Sequence, residues 1–432
     1  MKKVLILAYD FPPYTSVGAQ RPYSWFKYFK KYNIEPIVVS RNWDGIQYNS
    51  IEAFTQKTSD QVNKKELAEG TIYYTPYKPD LRDHFLQKDG QINAFIRRCL
   101  SLFYTIARFV SFRFDNRKSI YDQARKVLQE DDSIEVIIAT GEPFILFKYA
   151  HLLSKEFSIP WHADYRDDWI NNHSQVNASI LVKLTKRIEA IWEKKYLSNV
   201  ASISSVSTFI VDEILKRTGV KNGYVIENGV DLDLVRDNSV SVDNDFLISY
   251  TGIMYDFPYM VPFKEGFTQF LSKNNFDPHI QLQFIGIDSQ DNQAVALVRE
   301  LVNMFPQHCS IKPRVSMAES IQIQSSSRIL LNLIAGDPSK GLVGAKVYSY
   351  AAVKRPILSI TSHSNMRTFF FEGRNIHTVV NSGEGVLNFL EKYYVFYKQG
   401  ITFETDIYED EIRKLSREYN VKLLSQYLAI NK

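Results

Sequence analysis

The sequence predicts an α/β protein made of two consecutive doubly wound halves. Three observations lead there. Short apolar runs alternate with longer stretches of helical periodicity, the pattern of strand–helix units that feed parallel sheets. This alternation pauses at Glu227–Asn244, a stretch holding Asn228, Gly229 and several short polar residues, and then resumes. The chain has 432 residues, 45% hydrophobic and 14% aromatic, enough for two or three cores and incompatible with global disorder.

In the first half the strand candidates are Val4–Ala8, Pro36–Ser40, Val136–Thr140, Trp161–Asp164, Ala201–Ser205 and Tyr224–Ile226. Helical patterns lie between them at Ala19–Lys31, Phe144–Glu156, Ser179–Leu197 and Thr208–Arg217. In the second half Phe246–Tyr250, Ile280–Ile285, Ser310–Lys312, Ile329–Leu333 and Pro356–Ser359 read as strands, with helices at Asp291–Met304 and Ala345–Val353. The last stretch, Ile407–Ile430, reads as one amphipathic helix.

Cys99 and Cys309 are too few and too far apart for a disulfide framework, and no CxxC or His/Cys cluster suggests a metal. A reducing compartment follows. The opening run Val4–Ala8 is too short for a secretory signal and ends at Asp10. No window approaches the roughly 18 apolar residues of a membrane span.

The net charge of +4 conceals an asymmetry: residues 1–230 carry +6 and residues 231–432 carry −2. Much of the excess falls in 92–126, where Arg97, Arg98, Arg108, Arg113, Arg117, Lys118, Arg125 and Lys126 interleave with aromatic and aliphatic side chains. That mixture suits a surface helix whose cations meet lipid phosphates while its aromatics enter the headgroup layer, so Phe95–Lys126 is the expected contact with an anionic membrane surface. The alternative is a helix packed on its own domain with its Arg heads in water. The pI of about 8.6 is moderate and no nucleic-acid-binding signature is present, which argues against nucleic acid.

In open α/β sheets ligands gather beyond the carboxyl ends of strands, where loops enter helix N-termini. Four such loops carry polar chemistry. The first, Asp10 to Arg21, offers Gly18 for close backbone approach and Arg21 as a forked donor. The second, Thr140-Gly141-Glu142-Pro143, presents N–H groups at the sheet edge. The third, Trp161 to Trp169, crowds Asp164, Arg166, Asp167 and Asp168 beside His162, a set that environment can tune as acid, base or hydroxyl acceptor; an Arg166–Asp167 ion pair holding the loop is the plainer account. The fourth places Gly341 and Gly344 before a helix with Lys346 in its first turn. A lysine there opposes the helix dipole and implies an anionic partner such as a diphosphate.

Together, FPPYTSVGAQRPYSWFKYF, WHADYRDDW, VIENGVD, ISYTGIMYD and GAKVYSYAAVKRPIL resemble, in order and spacing, the nucleotide-sugar glycosyltransferases of family 4, in their bacterial polysaccharide branch. The resemblance covers residues 4–360. It implies the GT-B fold, two Rossmann-like domains facing a central cleft. Residues 1–230, completed by 407–432, would be the acceptor-binding domain, and 231–406 the donor-binding domain. It also implies metal-independent, retaining transfer from a nucleotide sugar to a lipid-diphosphate-linked or glycan acceptor, by a cytoplasmic protein peripherally attached to the inner membrane face. Gly18, Arg21, Gly252, Gly341, Gly344, Lys346 and Ser349 would be donor-binding; Gly141 and Glu142 would lie on the acceptor side; Asp164, Arg166, Asp167 and His162 would be the catalytic candidates.

One departure stands out. The two glutamates that the family carries eight residues apart fall at Gly341 and Ser349. A single hydroxyl cannot form the bidentate pair a carboxylate makes with ribose. Two alternatives therefore stay open: a non-catalytic nucleotide- or glycan-binding scaffold of the same fold, and a nucleotide-sugar epimerase.

Overall fold

The computed structural model describes residues 1–432 except 47–51, 87, 89, 172–179, 256–258, 335–343, 361–376, 406 and 431–432. The chain divides into two units, Met1–Glu227 with Asn420–Lys432, and Asn228–Tyr419.

The first unit is built on eight strands: β1 (Lys2–Leu7), β2 (Ile34–Arg41), β3 (Asn63–Glu66), β4 (Thr71–Thr75), β5 (Ile134–Gly141), β6 (Trp161–Tyr165), β7 (Ser202–Ser205) and β8 (Gly223–Val225). Their order across the sheet is β3-β4-β2-β1-β5-β6-β7-β8, parallel except for β3. Register follows from apolar runs buried on both faces. Leu5 and Leu7 join Ile137, Ala139, Trp161 and Ala163 in one core, while Val4 and Ile6 join Val136 and Ile138 in another. Val421, Leu424 and Leu428 of the C-terminal helix pack into the second of these, and Tyr427 stacks on Tyr224 at 3.8 Å. The β3–β4 hairpin escapes the sequence pattern because β3 reads Asn-Lys-Lys-Glu and is wholly exposed. Such a lysine-bearing edge strand discourages pairing with other chains.

The second unit carries β9 (Phe246–Thr251), β10 (Ile280–Ile285), β11 (Cys309–Lys312), β12 (Ile329–Leu333), β13 (Ile357–Ile360) and β14 (His377–Val380). These form an all-parallel sheet in the order β11-β10-β9-β12-β13-β14. Each sheet thus has a point where strand order reverses: β1 lies between β2 and β5, and β9 between β10 and β12. Crevices for ligands open at such points.

Two sequence expectations change. The stretch read as one helix over 407–430 is two, Glu409–Lys414 and Arg417–Ile430. The break has a cause: Val230 N–H donates to Leu415 O and Arg417 N–H to Val230 O, a bridge that takes the backbone out of the helix. The aromatic, basic stretch 92–126 is likewise not a single helix. Gln91–Val110 ends at Ser111, which is extended, a short 3-10 turn spans Phe112–Phe114, and a second helix runs Lys118–Glu130.

Candidate functional site

Beyond β1 the chain reaches Asp10 and then Ser16, the N-cap of helix Val17–Tyr28. Ser16 Oγ accepts the Ala19 N–H at 3.0 Å and donates to Asp10 Oδ2 at 3.0 Å. Arg166, the first residue after β6, lies across this turn. Its Nε donates to Gly141 O at 2.7 Å, its Nη2 to Glu142 O at 2.9 Å, and its guanidinium stands 3.8 Å from Asp10 Oδ2. Gly18 is required by that crossing, since a Cβ there would sit 1.6 Å from Arg166 Nη1 and 2.6 Å from Asp10 Oδ2. Burial pushes the Asp10 carboxyl up against the opposing pull of Arg166. Glu142 is also raised, first by burial and then by the charge of Asp167, which is exposed. Gly18, Gly141, Glu142, Arg166 and Asp167 are therefore brought together at one sheet edge, and Asp10, which the sequence reading left unassigned, joins them. An Arg beside two carboxyls that burial pushes up is a suitable setting for a hydroxyl group.

The other members of the charged run point elsewhere. Asp164 is fully buried and its oxygens are occupied: Arg21 Nε donates to both at 3.0 and 2.9 Å, Arg21 Nη2 to Oδ1 at 2.6 Å, Ser204 Oγ to Oδ1 at 2.7 Å, and Thr140 Oγ1 to Oδ2 at 3.1 Å. Burial alone would raise this carboxyl, but the Arg21 charge and these donors hold it below its ordinary value. Arg21 Nη1 donates to Ile226 O at 2.7 Å, so the pair ties β6 to the chain leaving β8. His162 is sealed between Ser202 and Ser204. Ser204 gives its proton to Asp164, so His162 Nε2 donates to Ser204 and Nδ1 accepts from Ser202. Burial lowers its pKa to about 4, leaving it neutral. The expectation that Arg21 binds donor and that Asp164 and His162 are catalytic is corrected: these three form an interior scaffold. Nor does Arg166 pair with Asp167; its carboxylate partner is Asp10. Asp168 pairs with Arg217, which also holds Glu193.

In the second unit Gly252 follows β9 at the strand-order reversal, with φ +96°. Lys346, the first residue of helix Lys346–Ala352 after β12, meets it: a Cβ on Gly252 would lie 3.1 Å from Lys346 Cε. The Lys346 ammonium sits 3.8 Å from the Tyr250 ring centroid and donates to Tyr250 Oη at 2.6 Å and to Ile253 O at 3.0 Å. No carboxylate among the described residues offsets its charge, and burial lowers its pKa to about 7. An ammonium held only by neutral acceptors beside a left-handed glycine retains the charge to accept an anion. Among the described residues nothing lies within 4 Å of a Cβ placed on Gly344. Ser349 Oγ donates to Lys346 O at 2.9 Å within its own helix. Gly341 lies outside the described residues.

No family model matches the chain, and no curated protein does. Solved structures do match along its whole length. Sucrose-phosphate synthase from Thermosynechococcus elongatus is 13% identical, with all of this chain and 96% of that one covered at a TM-score of 0.57. The catalytic domain of starch synthase IV from Arabidopsis thaliana, bound to ADP and acarbose, is 11% identical over 100% and 99% of the two chains at 0.55. HepE from Anabaena in complex with UDP is 11% identical over 100% and 97% at 0.53. At these identities the likeness speaks for architecture alone. The chain has the GT-B fold, with two Rossmann-like, doubly wound α/β units.

Proposed function

We propose that this protein is a retaining glycosyltransferase that moves a sugar from a nucleotide sugar to a lipid-linked or glycan acceptor, in the family 4 manner its motifs resemble. The observation that carries the reading is the Lys346 ammonium, without a carboxylate partner among the described residues and set against Gly252 where the second sheet reverses its strand order. Transfer leaves charge on the departing nucleoside diphosphate. Lys346, in this reading, stabilises that charge electrostatically, in a transfer that needs no metal. The UDP and ADP carried by two solved structures of this fold are the chemistry such a group would hold. In the first unit, Glu142 and Asp167 with Arg166 would orient the acceptor hydroxyl.

A thermal-shift panel of UDP, GDP, ADP, CDP and TDP tests the donor assignment. One of the five should raise the melting temperature, since a ligand at 100 times its Kd stabilises by about 2.7 kcal/mol. No shift with any of them would contradict it.

The proposed membrane contact narrows to helix Gln91–Val110 and the turn after it. Ile92, Phe95 and Val110 are 77%, 66% and 66% exposed, beside exposed Arg98 and Arg113. Arg108 and Arg117 turn into the unit, toward Asp80 and Tyr9, and exposed Arg125 pairs with Glu156. No helix among the described residues is long and apolar enough to cross a membrane. The variant Phe95→Ser with Arg98→Gln and Arg113→Gln should lose sedimentation with anionic vesicles at low salt; equal sedimentation would exclude this surface.

A further inference from the structure

Arg41, the last residue of β2, is 1% exposed. Its guanidinium lies 3.5 Å from the Tyr77 ring centroid and 4.0 Å from that of Trp43, and its Nη1 donates to Tyr9 Oη at 2.8 Å. Among the described residues Nε and Nη2 find no acceptor, and neither touches solvent. Arg117 approaches the same Tyr9, 4.9 Å from its centroid, and its Nε is likewise sealed and unpaired. Ring stacking satisfies the faces of a guanidinium but not its N–H edge, which lies in the plane and needs an oxygen. A buried donor left unpaired is destabilising, and more so on a charged group.

The nearby carboxylates do not supply that oxygen. Asp10, within electrostatic reach of both arginines, is engaged by Ser16 and Arg166. Asp115 accepts from Tyr149 Oη and from the Arg117 backbone N–H. Arg108 adds a third cation nearby and faces Asp80 at 3.9 Å. The region is thus a cationic, aromatic-walled setting in which three guanidinium nitrogens find no acceptor among the described residues, at the end of a strand next to β1.

We propose that Arg41 and Arg117 form an anion site of the first unit that takes the phosphate or diphosphate of the acceptor, with Tyr9, Trp43 and Tyr77 as its walls. This rests on the reading of the first unit as acceptor-binding, and it makes the acceptor a phosphorylated one. The forked Arg edge matches phosphoryl oxygens, and the rings exclude the water that would weaken the contact.

Calorimetric titration of inorganic pyrophosphate into the full chain tests it, using wild type, Lys346→Ala, Arg41→Lys and the double variant. Arg41→Lys keeps the charge and removes the in-plane fork. Pyrophosphate should still bind Lys346→Ala, and Arg41→Lys made in the Lys346→Ala background should bind it at least tenfold more weakly than Lys346→Ala alone. Arg41→Lys should keep its nucleoside diphosphate affinity within twofold. Geranyl diphosphate should compete with pyrophosphate; competition by orthophosphate but not by geranyl diphosphate would assign the site to free phosphate and overturn the acceptor role. Pyrophosphate binding abolished in Lys346→Ala and unchanged in Arg41→Lys would overturn the site and leave the donor reading intact. Arg41-dependent pyrophosphate binding with no nucleotide binding in any variant would leave the site and overturn the donor reading. If Arg41→Lys does not fold, a tungstate-soaked crystal of the wild type decides. An anomalous peak within hydrogen-bond distance of Arg41 Nε and Nη2 is expected, and peaks only elsewhere would overturn the site.

Discussion

Replacing Arg21 with Met should destabilise the first unit by about 3–5 kcal/mol in urea unfolding, because it strands the charge of fully buried Asp164. Ser204 and Thr140 would remain as donors, but neither carries charge. The double variant Arg21→Met with Asp164→Leu should recover most of the loss, since apolar pairs of similar volume often replace buried ion pairs at little cost. Asp164 has a depressed pKa, so the pair's contribution is present above the unfolded value of 3.8 and fades as pH falls through the folded one. Nucleoside diphosphate affinity should stay within twofold of wild type in the double variant. A large affinity loss with little change in stability would return Arg21 to the donor-binding role that the family resemblance implies.

Lys346→Ala should weaken binding of the preferred nucleoside diphosphate by about ten- to a hundredfold, the worth of one charge-assisted hydrogen bond. Wild-type affinity should also fall as pH rises from 7 to 9, because the free lysine loses its proton near pH 7 and binding must restore it. The sign for stability is opposite. The unfolded lysine stays protonated up to 10.5, so between about 7 and 10.5 the unfolded chain holds more protons and wild-type stability rises with pH. Below pH 7 the cost of burying the ammonium is fully present. Lys346→Met should lack this rise, and a variant with unchanged affinity and unchanged pH dependence would remove Lys346 from the site.

The strands legible in the sequence are those buried on both faces, such as Val4–Ala8, wholly apolar, and Ile329–Leu333, apolar but for Asn332. The polar edge strand Asn63–Glu66 carries no such signal. Helix Met260–Lys273 was hidden by Pro262 and Gly266, yet Gly266 is what allows close packing: a Cβ there would lie 2.4 Å from Gly383 O. At the candidate site, the strand-end rule located Gly18, Glu142 and Lys346, and the family resemblance added Gly252. It could not sort the run Asp164–Asp168. Asp164 is within β6 and turns into the sheet, whereas Arg166 and Asp167 follow its end and face the edge. Nor could spacing reveal that Arg166 lies on Gly18, because only the parallel pairing of β1, β5 and β6 brings those loops together.

The most direct measurement is transfer itself. Nucleotide sugars of the base selected by the binding panel would be offered to the full chain with a membrane extract containing lipid-linked acceptors, following nucleoside diphosphate release and label in the lipid fraction. Equal amounts of both, reduced tenfold or more by Lys346→Ala, are the predicted result. Tight nucleotide binding without release or transfer would contradict the transferase reading and leave a binding scaffold of the same fold.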